Sequence, residues 1–272
     1  MTTTSARPAA PARAGRAAIS AKSLRTDRWW LSPLLTVVGL TAWLAYGVVH
    51  VFMQKWYFEE GPGHHYLTPF YSPCISNGCI PEAAEFGRFL PDHPLIPYAA
   101  LSLPFLLLFR LTCYYYRRAY YRSFWLSPPA CAVPDGHKSY TGETRFPLVF
   151  QNQHRYTFYA AVLISLVNTW DAAVSFHGTE GFGFGLGNVV LVTNVVLLWA
   201  YTLSCHSCRH IVGGRLKHFS AHPLRYRFWT FVSALNARHM QLAWITLGTL
   251  ALTDLYVMAL AADWINDLRF IN

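Results

Sequence analysis

Five apolar runs of membrane-spanning length constrain this chain more than any motif does. A helix rises about 1.5 Å per residue, so about 20 apolar residues cross the hydrocarbon core of a bilayer. The runs are too long and too little interrupted for the alternating strands of a membrane β-barrel. The sequence therefore predicts an all-α integral membrane protein, a bundle of five transmembrane helices over residues 30–53, 95–113, 156–176, 184–204 and 228–262.

The share of charged residues supports this fold class. Only 13% of the residues are charged, against 53% that are hydrophobic, which leaves too few charges to cover a soluble protein of this size. The fifth run is too long for one straight crossing. We therefore expect its first turns to stand in the cytoplasm, or the helix to tilt.

The distribution of Lys and Arg predicts the orientation, because short cytoplasmic segments carry an excess of both. The loop 54–94 has two basic residues against five acidic ones, and the loop after Phe176 has none. Three segments are basic: the N-terminal tail, residues 110–155 and residues 209–227. The alternation places the N-terminus inside and the C-terminus outside, as in a multi-pass membrane protein.

The two ends of the chain are predicted to be tails. Residues 1–29 lack the apolar core of a signal peptide and are expected to form a disordered basic cytoplasmic tail, while residues 263–272 form an external tail. The net charge of +9 has two explanations, the positive-inside bias with anionic lipid, or a basic face that docks a partner protein. Nucleic acid is not expected as a partner, because the basic residues are scattered over three segments.

The six cysteines divide by compartment. Cys74 and Cys79 lie in the outer loop, where a disulfide is expected; His64 and His65 nearby leave an external metal site as the alternative. The other four cysteines fall on the reducing side, where they are either inert thiols or metal ligands. They are Cys113, Cys131, Cys205 and Cys208.

The densest group of potential metal ligands is Cys205-His206-Ser207-Cys208-Arg209-His210, at the inner end of the fourth run. Thiolates favour zinc or iron–sulfur centres, and two cysteines with two histidines are typical of a Rieske-type cluster. The alternative is a helix end whose side chains only cap carbonyl groups. If the helix continues, Cys205 and Cys208 share one face and the histidines lie nearly opposite. If it unwinds before Gly213, His210 can swing round.

Other segments can supply the remaining histidines. His239 lies in the polar stretch 236–241 of an otherwise apolar run, and such residues in membrane helices are usually functional. His154 opens the third run. Four further polar residues lie within the runs, Asn168, Asp171, Asn194 and Asp254, and each alone is expected to make interhelical contacts. Together with Trp170 and His177 they are the alternative lining of a quinone pocket or proton path. The stretch 181–187 resembles a dinucleotide fingerprint only superficially and is expected to be a tight turn between helices.

Three stretches carry a resemblance to a known family: 66–74, 113–122 and 205–210. With five helices and an inner N-terminus they resemble the membrane anchor of succinate dehydrogenases and fumarate reductases, and within it the single-subunit anchor of the actinobacterial, mycobacterial kind. The resemblance implies a bacterial inner membrane, flavoprotein and iron–sulfur subunits on its cytoplasmic face, and a membrane quinone as electron acceptor. It also implies a Rieske-type cluster in place of the haem of related anchors.

The function predicted from these features is electron transfer by an anchor subunit without a dehydrogenase site of its own. Cys205, Cys208, His210 and His239 are the predicted ligands of a Rieske-type [2Fe-2S] cluster, with His206 and His154 as alternatives. Menaquinone or ubiquinone is the expected substrate, and a higher oligomer is compatible with the sequence. Arg209 and Arg238 would stabilise an anionic cluster or semiquinone, and the predicted cofactor-binding residues are these two with Asn236, Trp170 and Asp171.

Two other functions stay open. A dihaem cytochrome b anchor, with haem b as its cofactor, is the alternative within redox chemistry. A zinc-dependent membrane hydrolase or a transporter is the alternative of another class, although the sequence has neither a His-Glu-x-x-His motif nor an inverted repeat.

Overall fold

A computed structural model describes residues 25–72, 74–76, 85–90, 97–101, 103–136 and 152–271. Most of the predicted N-terminal tail lies outside these residues, as does Cys79, so the tail and the Cys74–Cys79 disulfide stay predictions. The chain forms two compact units. One comprises Met1–Val38 with Arg118–Phe146, and the other comprises Gly39–Arg117 with Pro147–Asn272.

Four helices among the described residues are long and apolar enough to cross a membrane. They are α1 (Leu31–Met53), α4 (His154–Val174), α5 (Leu186–Leu203) and α8 (His239–Ala261). The second predicted run gives a shorter apolar helix of 10 residues, α2 (Leu103–Thr112). The structure is thus mostly helical, as predicted, with four helices of spanning length where the sequence shows five runs.

The remaining elements are short. Three further helices are α3 (Tyr114–Ser123), α6 (His206–Gly213) and α7 (Pro223–Asn236), and 3₁₀ turns cover Pro69–Tyr71, Tyr98–Leu101 and Phe219–Ala221. Among the described residues, eight strands form four two-stranded pairs, β1–β2, β3–β4, β5–β6 and β7–β8, and of these pairs β3–β4 is parallel. Their bounds are Phe58–Gly61, His64–Leu67, Cys74–Ser76, Glu85–Leu90, His177–Gly178, Gly181–Phe182, Phe184–Gly185 and Arg269–Ile271.

Two helix breaks shape the end of the bundle at which the cysteines lie. Cys205 has an extended backbone (φ −61°, ψ 140°) and separates α5 from α6, and its sulfur accepts the backbone N–H of Ser207 at 3.4 Å. The long fifth run is two helices, because α7 ends at Asn236 and α8 begins at His239. The Asn236 amide donates to the carbonyl oxygen of Ser204 at 2.7 Å. This bond satisfies a carbonyl that the first break leaves without a helical partner, so the two breaks stabilise each other.

Helix α1 contacts α8 through two polar links. The Trp43 indole donates to the carbonyl oxygen of Leu247 at 2.9 Å. Nearer the end of α1, the Tyr46 hydroxyl and His50 Nδ1 each lie 2.5 Å from Oδ2 of Asp254. His50 and Asp254 are fully buried. Because much of α1 is otherwise exposed, these links fix its second half to α8 within the same unit.

The C-terminal strand is held by a clasp around Arg269. The guanidinium of Arg269 donates to the Tyr66 hydroxyl at 3.0 Å and to the carbonyl oxygen of Gly63 at 3.2 Å. Asp267 accepts hydrogen bonds from Tyr66 and Tyr256 at 2.8 and 2.7 Å. These bonds lower the pKa of Asp267 despite its burial. Gly183 and Gly185, in the glycine-rich stretch 181–187, lie against the Arg269 guanidinium, so their backbone approaches this large side chain closely.

Gly183 gives a test of this clasp. A Cβ at this position would lie 2.2 Å from Arg269 Nη2 and 2.5 Å from the carbonyl oxygen of Gly63, and the backbone oxygen cannot move aside cheaply. We expect Gly183→Ala to destabilise the protein by about 1–3 kcal/mol, seen as a lower midpoint of thermal unfolding in detergent. Gly248→Ala is the control, because nothing lies within 4 Å of its added methyl group. Equal midpoints for both variants would contradict the clasp.

Candidate metal centre

Two cysteines and two histidines from four segments converge at one end of the bundle. Cys113 directly follows α2, His154 opens α4, Cys205 separates α5 from α6, and His239 opens α8. His154 Nε2 lies 3.1 Å from the sulfur of Cys205, and His239 Nε2 lies 3.6 Å from the sulfur of Cys113. Both cysteines and His239 are buried. The donor set is therefore two thiols and two imidazoles.

A hydroxyl group contacts Nδ1 of each imidazole. Thr112 Oγ1 lies 2.9 Å from His154 Nδ1, and Ser204 Oγ lies 2.6 Å from His239 Nδ1. In both rings this leaves Nε2 directed at a sulfur atom. A partner at the second ring nitrogen is typical of metal-ligating histidines, because it fixes the tautomer and the orientation of the ring.

Aromatic rings fix the same two imidazoles from their faces. The ring of Phe109 stacks on His154, with centroids 4.9 Å apart and an interplanar angle of 7°. The ring of Tyr201 stacks on His239 at 5.1 Å and 10°. Phe109 and Tyr201 in turn meet edge to face at 5.6 Å. The four rings form one continuous wall behind the donors, which restricts movement of both imidazoles.

A cavity of about 540 Å³ opens beside the donors. Cys113, His154 and His239 reach it directly. Its other lining residues share a polar or cationic character, and none carries a carboxylate: Thr112, Tyr114, Tyr115, Arg117, Asn152, Arg155, His206, Ser207, His210 and Asn236. The cavity is therefore suited to an electron-rich or anionic group rather than to a free cation.

The remaining predicted ligands are not among the four converging donors, although His206 and His210 line the cavity beside them. Cys208 is buried in α6, and no hydrogen bond joins its sulfur to a histidine in the described part of the chain. His206 and His210 lie on the exposed side of α6, where their Nε2 atoms approach each other to 2.9 Å. His210 stays apart from Cys205 because of where the helix break falls. The chain unwinds before Cys205 and stays helical to Gly213, so His210 does not swing toward Cys205.

The predicted cofactor-binding residues are dispersed. The Arg209 guanidinium stacks on Trp229 at 4.8 Å, Arg238 lies between α7 and α8, and Asn236 bridges the two helix breaks. In α4, Trp170 is 58% exposed whereas Asp171 is buried. Only Asn236 of these five residues lines the cavity.

The described residues contain no group of three or more His, Cys, Asp or Glu side chains arranged around a single metal ion. The four donors instead meet as two Cys–His contacts. Burial raises the pKa of the Cys205 thiol to about 12, because desolvation disfavours the thiolate. A metal bound to this sulfur would reverse that shift, because a coordinating thiol is deprotonated. Two thiols and two imidazoles are the donor set of a Rieske-type cluster, in which both cysteines bind one iron and both histidines bind the other.

Comparison with known proteins decides the family. The model of the actinobacterial succinate dehydrogenase subunit SdhC matches residues 31–263. The chain belongs to this family. Among solved structures, one titled "Mycobacterium smegmatis Sdh1 complex in the apo form" matches with 62% identity and a TM-score of 0.85, over 97% of this chain and 98% of that chain. No curated protein matches the chain.

Membership of the SdhC family confirms several predictions. The chain is a multi-pass membrane protein of the bacterial inner membrane, and it is the membrane subunit of a succinate dehydrogenase, an oxidoreductase complex. Its partners are the flavoprotein and iron–sulfur subunits, with quinone and lipid. The Rieske-type cluster and its ligands stay predictions.

Proposed function

We propose that this SdhC subunit carries electrons within the membrane, and that Cys113, Cys205, His154 and His239 hold a Rieske-type [2Fe-2S] cluster. The observation that carries the proposal is the convergence of these four side chains, with each imidazole held at Nδ1 and directed by Nε2 at a sulfur. Cys205 and His239 belong to the ligand set predicted from sequence. Cys113 and His154 replace Cys208 and His210 because of where their side chains lie.

The cysteine-bearing end of the bundle is proposed to face the cytoplasm. The segments at this end are basic, as the positive-inside rule requires for cytoplasmic segments. The cavity opens at the same end, and its cationic lining suits contact with an electron-carrying partner. We therefore place the iron–sulfur subunit against this face.

The residues of this chain have three tasks in the proposed function. Cys113 and Cys205 supply thiolates, and the two imidazoles complete the ligand set. Thr112, Ser204, Phe109 and Tyr201 keep the imidazoles in place before any cofactor binds, which lowers the cost of ordering the site. Burial of the sulfurs excludes water. When bound, a cluster of this type supplies a one-electron relay whose potential is raised by its histidine ligands.

The proposal predicts a distinctive electron paramagnetic resonance (EPR) spectrum. The purified complex, reduced with dithionite, should show a two-iron signal with an average g below the free-electron value, in addition to the signals of the iron–sulfur subunit. Cys113→Ala should remove this signal. Cys208→Ala is the matched control, because Cys208 is a similarly buried thiol without an imidazole contact, and it should keep the signal.

Three outcomes contradict the proposal. Haem bands in the absorption spectrum, without the extra two-iron signal, would support the dihaem cytochrome b anchor instead. Zinc without additional iron would support the hydrolase alternative. Loss of the signal in Cys208→Ala but not in Cys113→Ala would favour the ligand set predicted from the sequence, Cys205, Cys208, His210 and His239.

A further inference from the structure

Helix α2 carries a buried cation that the proposed ligand set does not use. Arg110 is 7% exposed and lies in the last turn of α2, three residues before Cys113. None of the ion pairs found among the described residues includes it. A guanidinium does not lose its proton in a protein, so Arg110 is a permanent positive charge within an apolar helix. Such a charge is costly unless another group compensates it.

The contacts of Arg110 are neutral. Nη1 donates to the Tyr116 hydroxyl at 2.6 Å and to the carbonyl oxygen of Ala243 at 3.4 Å. The guanidinium also lies against the rings of Tyr201 and Trp43, at 5.1 and 6.0 Å. These contacts hold the guanidinium in place and leave its charge uncompensated within the described chain.

The same contacts direct Arg110 toward the candidate metal centre. The ring of Tyr201 lies against the guanidinium and also stacks on His239. The carbonyl oxygen of Arg110 accepts the backbone N–H of Cys113 at 3.1 Å. One residue thus connects to a proposed histidine ligand through a ring and to a proposed cysteine ligand through the backbone.

We propose that Arg110 is a positioning residue that raises the reduction potential of the centre held by Cys113, Cys205, His154 and His239. The inference rests on the proposed function. Two thiolates cancel the charge of an oxidised two-iron core, so one-electron reduction leaves a net negative charge. A fixed cation favours the reduced state over the oxidised one. Arg110 neither gains nor loses a proton when the electron arrives from the iron–sulfur subunit.

The test is a redox titration of the complete purified complex, followed by the EPR signal of the extra cluster. In Arg110→Gln the ratio of reduced to oxidised cluster, at the midpoint potential of the unmodified complex, should fall at least tenfold, which is 59 mV for a one-electron couple. Arg110→Lys keeps the charge and should shift the ratio much less. Arg225→Gln is the matched control, because the Arg225 guanidinium also donates to neutral carbonyl groups, those of Val212 and Gly214, and none of the hydrogen bonds described for it reaches a proposed ligand.

Arg110→Met is a second charge-removing variant, to be used if Arg110→Gln fails to assemble. Replacing an uncompensated buried charge by an apolar side chain of similar length is often neutral or stabilising, and it removes the charge as completely as glutamine does. An unchanged midpoint in the charge-removing variants, with the signal intact, would overturn the role of Arg110 and leave the cluster standing. Absence of the signal in the unmodified complex would overturn both.

Discussion

Replacing His239 with alanine is expected to abolish succinate-driven quinone reduction by the assembled complex, with a loss of more than about 100-fold. Changing a residue that only supports a metal ligand typically costs 10–100-fold, and loss of a ligand should exceed that range. The same reasoning applies to His154→Ala. The measurement is quinone reduction at saturating succinate, with succinate oxidation by a soluble artificial acceptor assayed in parallel. That second activity belongs to the soluble subunits and should be kept.

His210→Ala is the decisive control for this experiment. His210 belongs to the ligand set predicted from sequence, yet it lies on the exposed side of α6 and contacts His206 at 2.9 Å. Its replacement should reduce the rate by no more than a few fold. If His210→Ala is as damaging as His239→Ala, α6 must rearrange in the complex and the contacts of the isolated chain do not define the site. Loss of both activities in any variant would indicate failed assembly.

The sequence predicts the class of fold well because membrane insertion requires long apolar segments. Four of the five runs contain helices of spanning length. The helix ends were less predictable. The break at Cys205 has no proline or glycine to mark it, since Tyr201-Thr202-Leu203-Ser204 precedes it directly. The compensating bond from Asn236 comes from 32 residues away, and no local pattern reveals such a contact.

The ligand set shows the same limit. The sequence points to Cys205 and His239 of the proposed set, because polar and sulfur-bearing residues at the ends of apolar runs stand out. It leaves Cys113 as either an inert thiol or a ligand, and the contact of its sulfur with His239 supports the second. Arg110 gave no signal of its own, because a basic residue near the inner end of a run is what the positive-inside rule already explains. Its burial among neutral groups is a tertiary property.

Asp254→Ala is expected to cause the largest loss of stability, about 3–5 kcal/mol, because it breaks a buried polar pair by removing one partner. The change leaves the buried His50 and the partly buried Tyr46 hydroxyl without the acceptor that both of them share. Since α1 is fixed to α8 by this link and by the Trp43 bond alone among the polar contacts described here, we expect α1 to detach first. The readout is the midpoint of thermal unfolding in detergent, with Glu180→Ala as an exposed control.

Replacing all three side chains of this link tests whether they only stabilise the protein or also take part in quinone reduction. The triple variant Tyr46→Phe, His50→Leu and Asp254→Val removes every polar partner together and fills the space with apolar side chains. Such replacements of buried polar groups are often neutral or stabilising, so the unfolding midpoint should return to that of the unmodified protein. Recovery of stability together with full quinone reduction would show that the link serves only to attach α1. Recovery of stability without quinone reduction would show that the buried imidazole and carboxyl take part in the reaction itself.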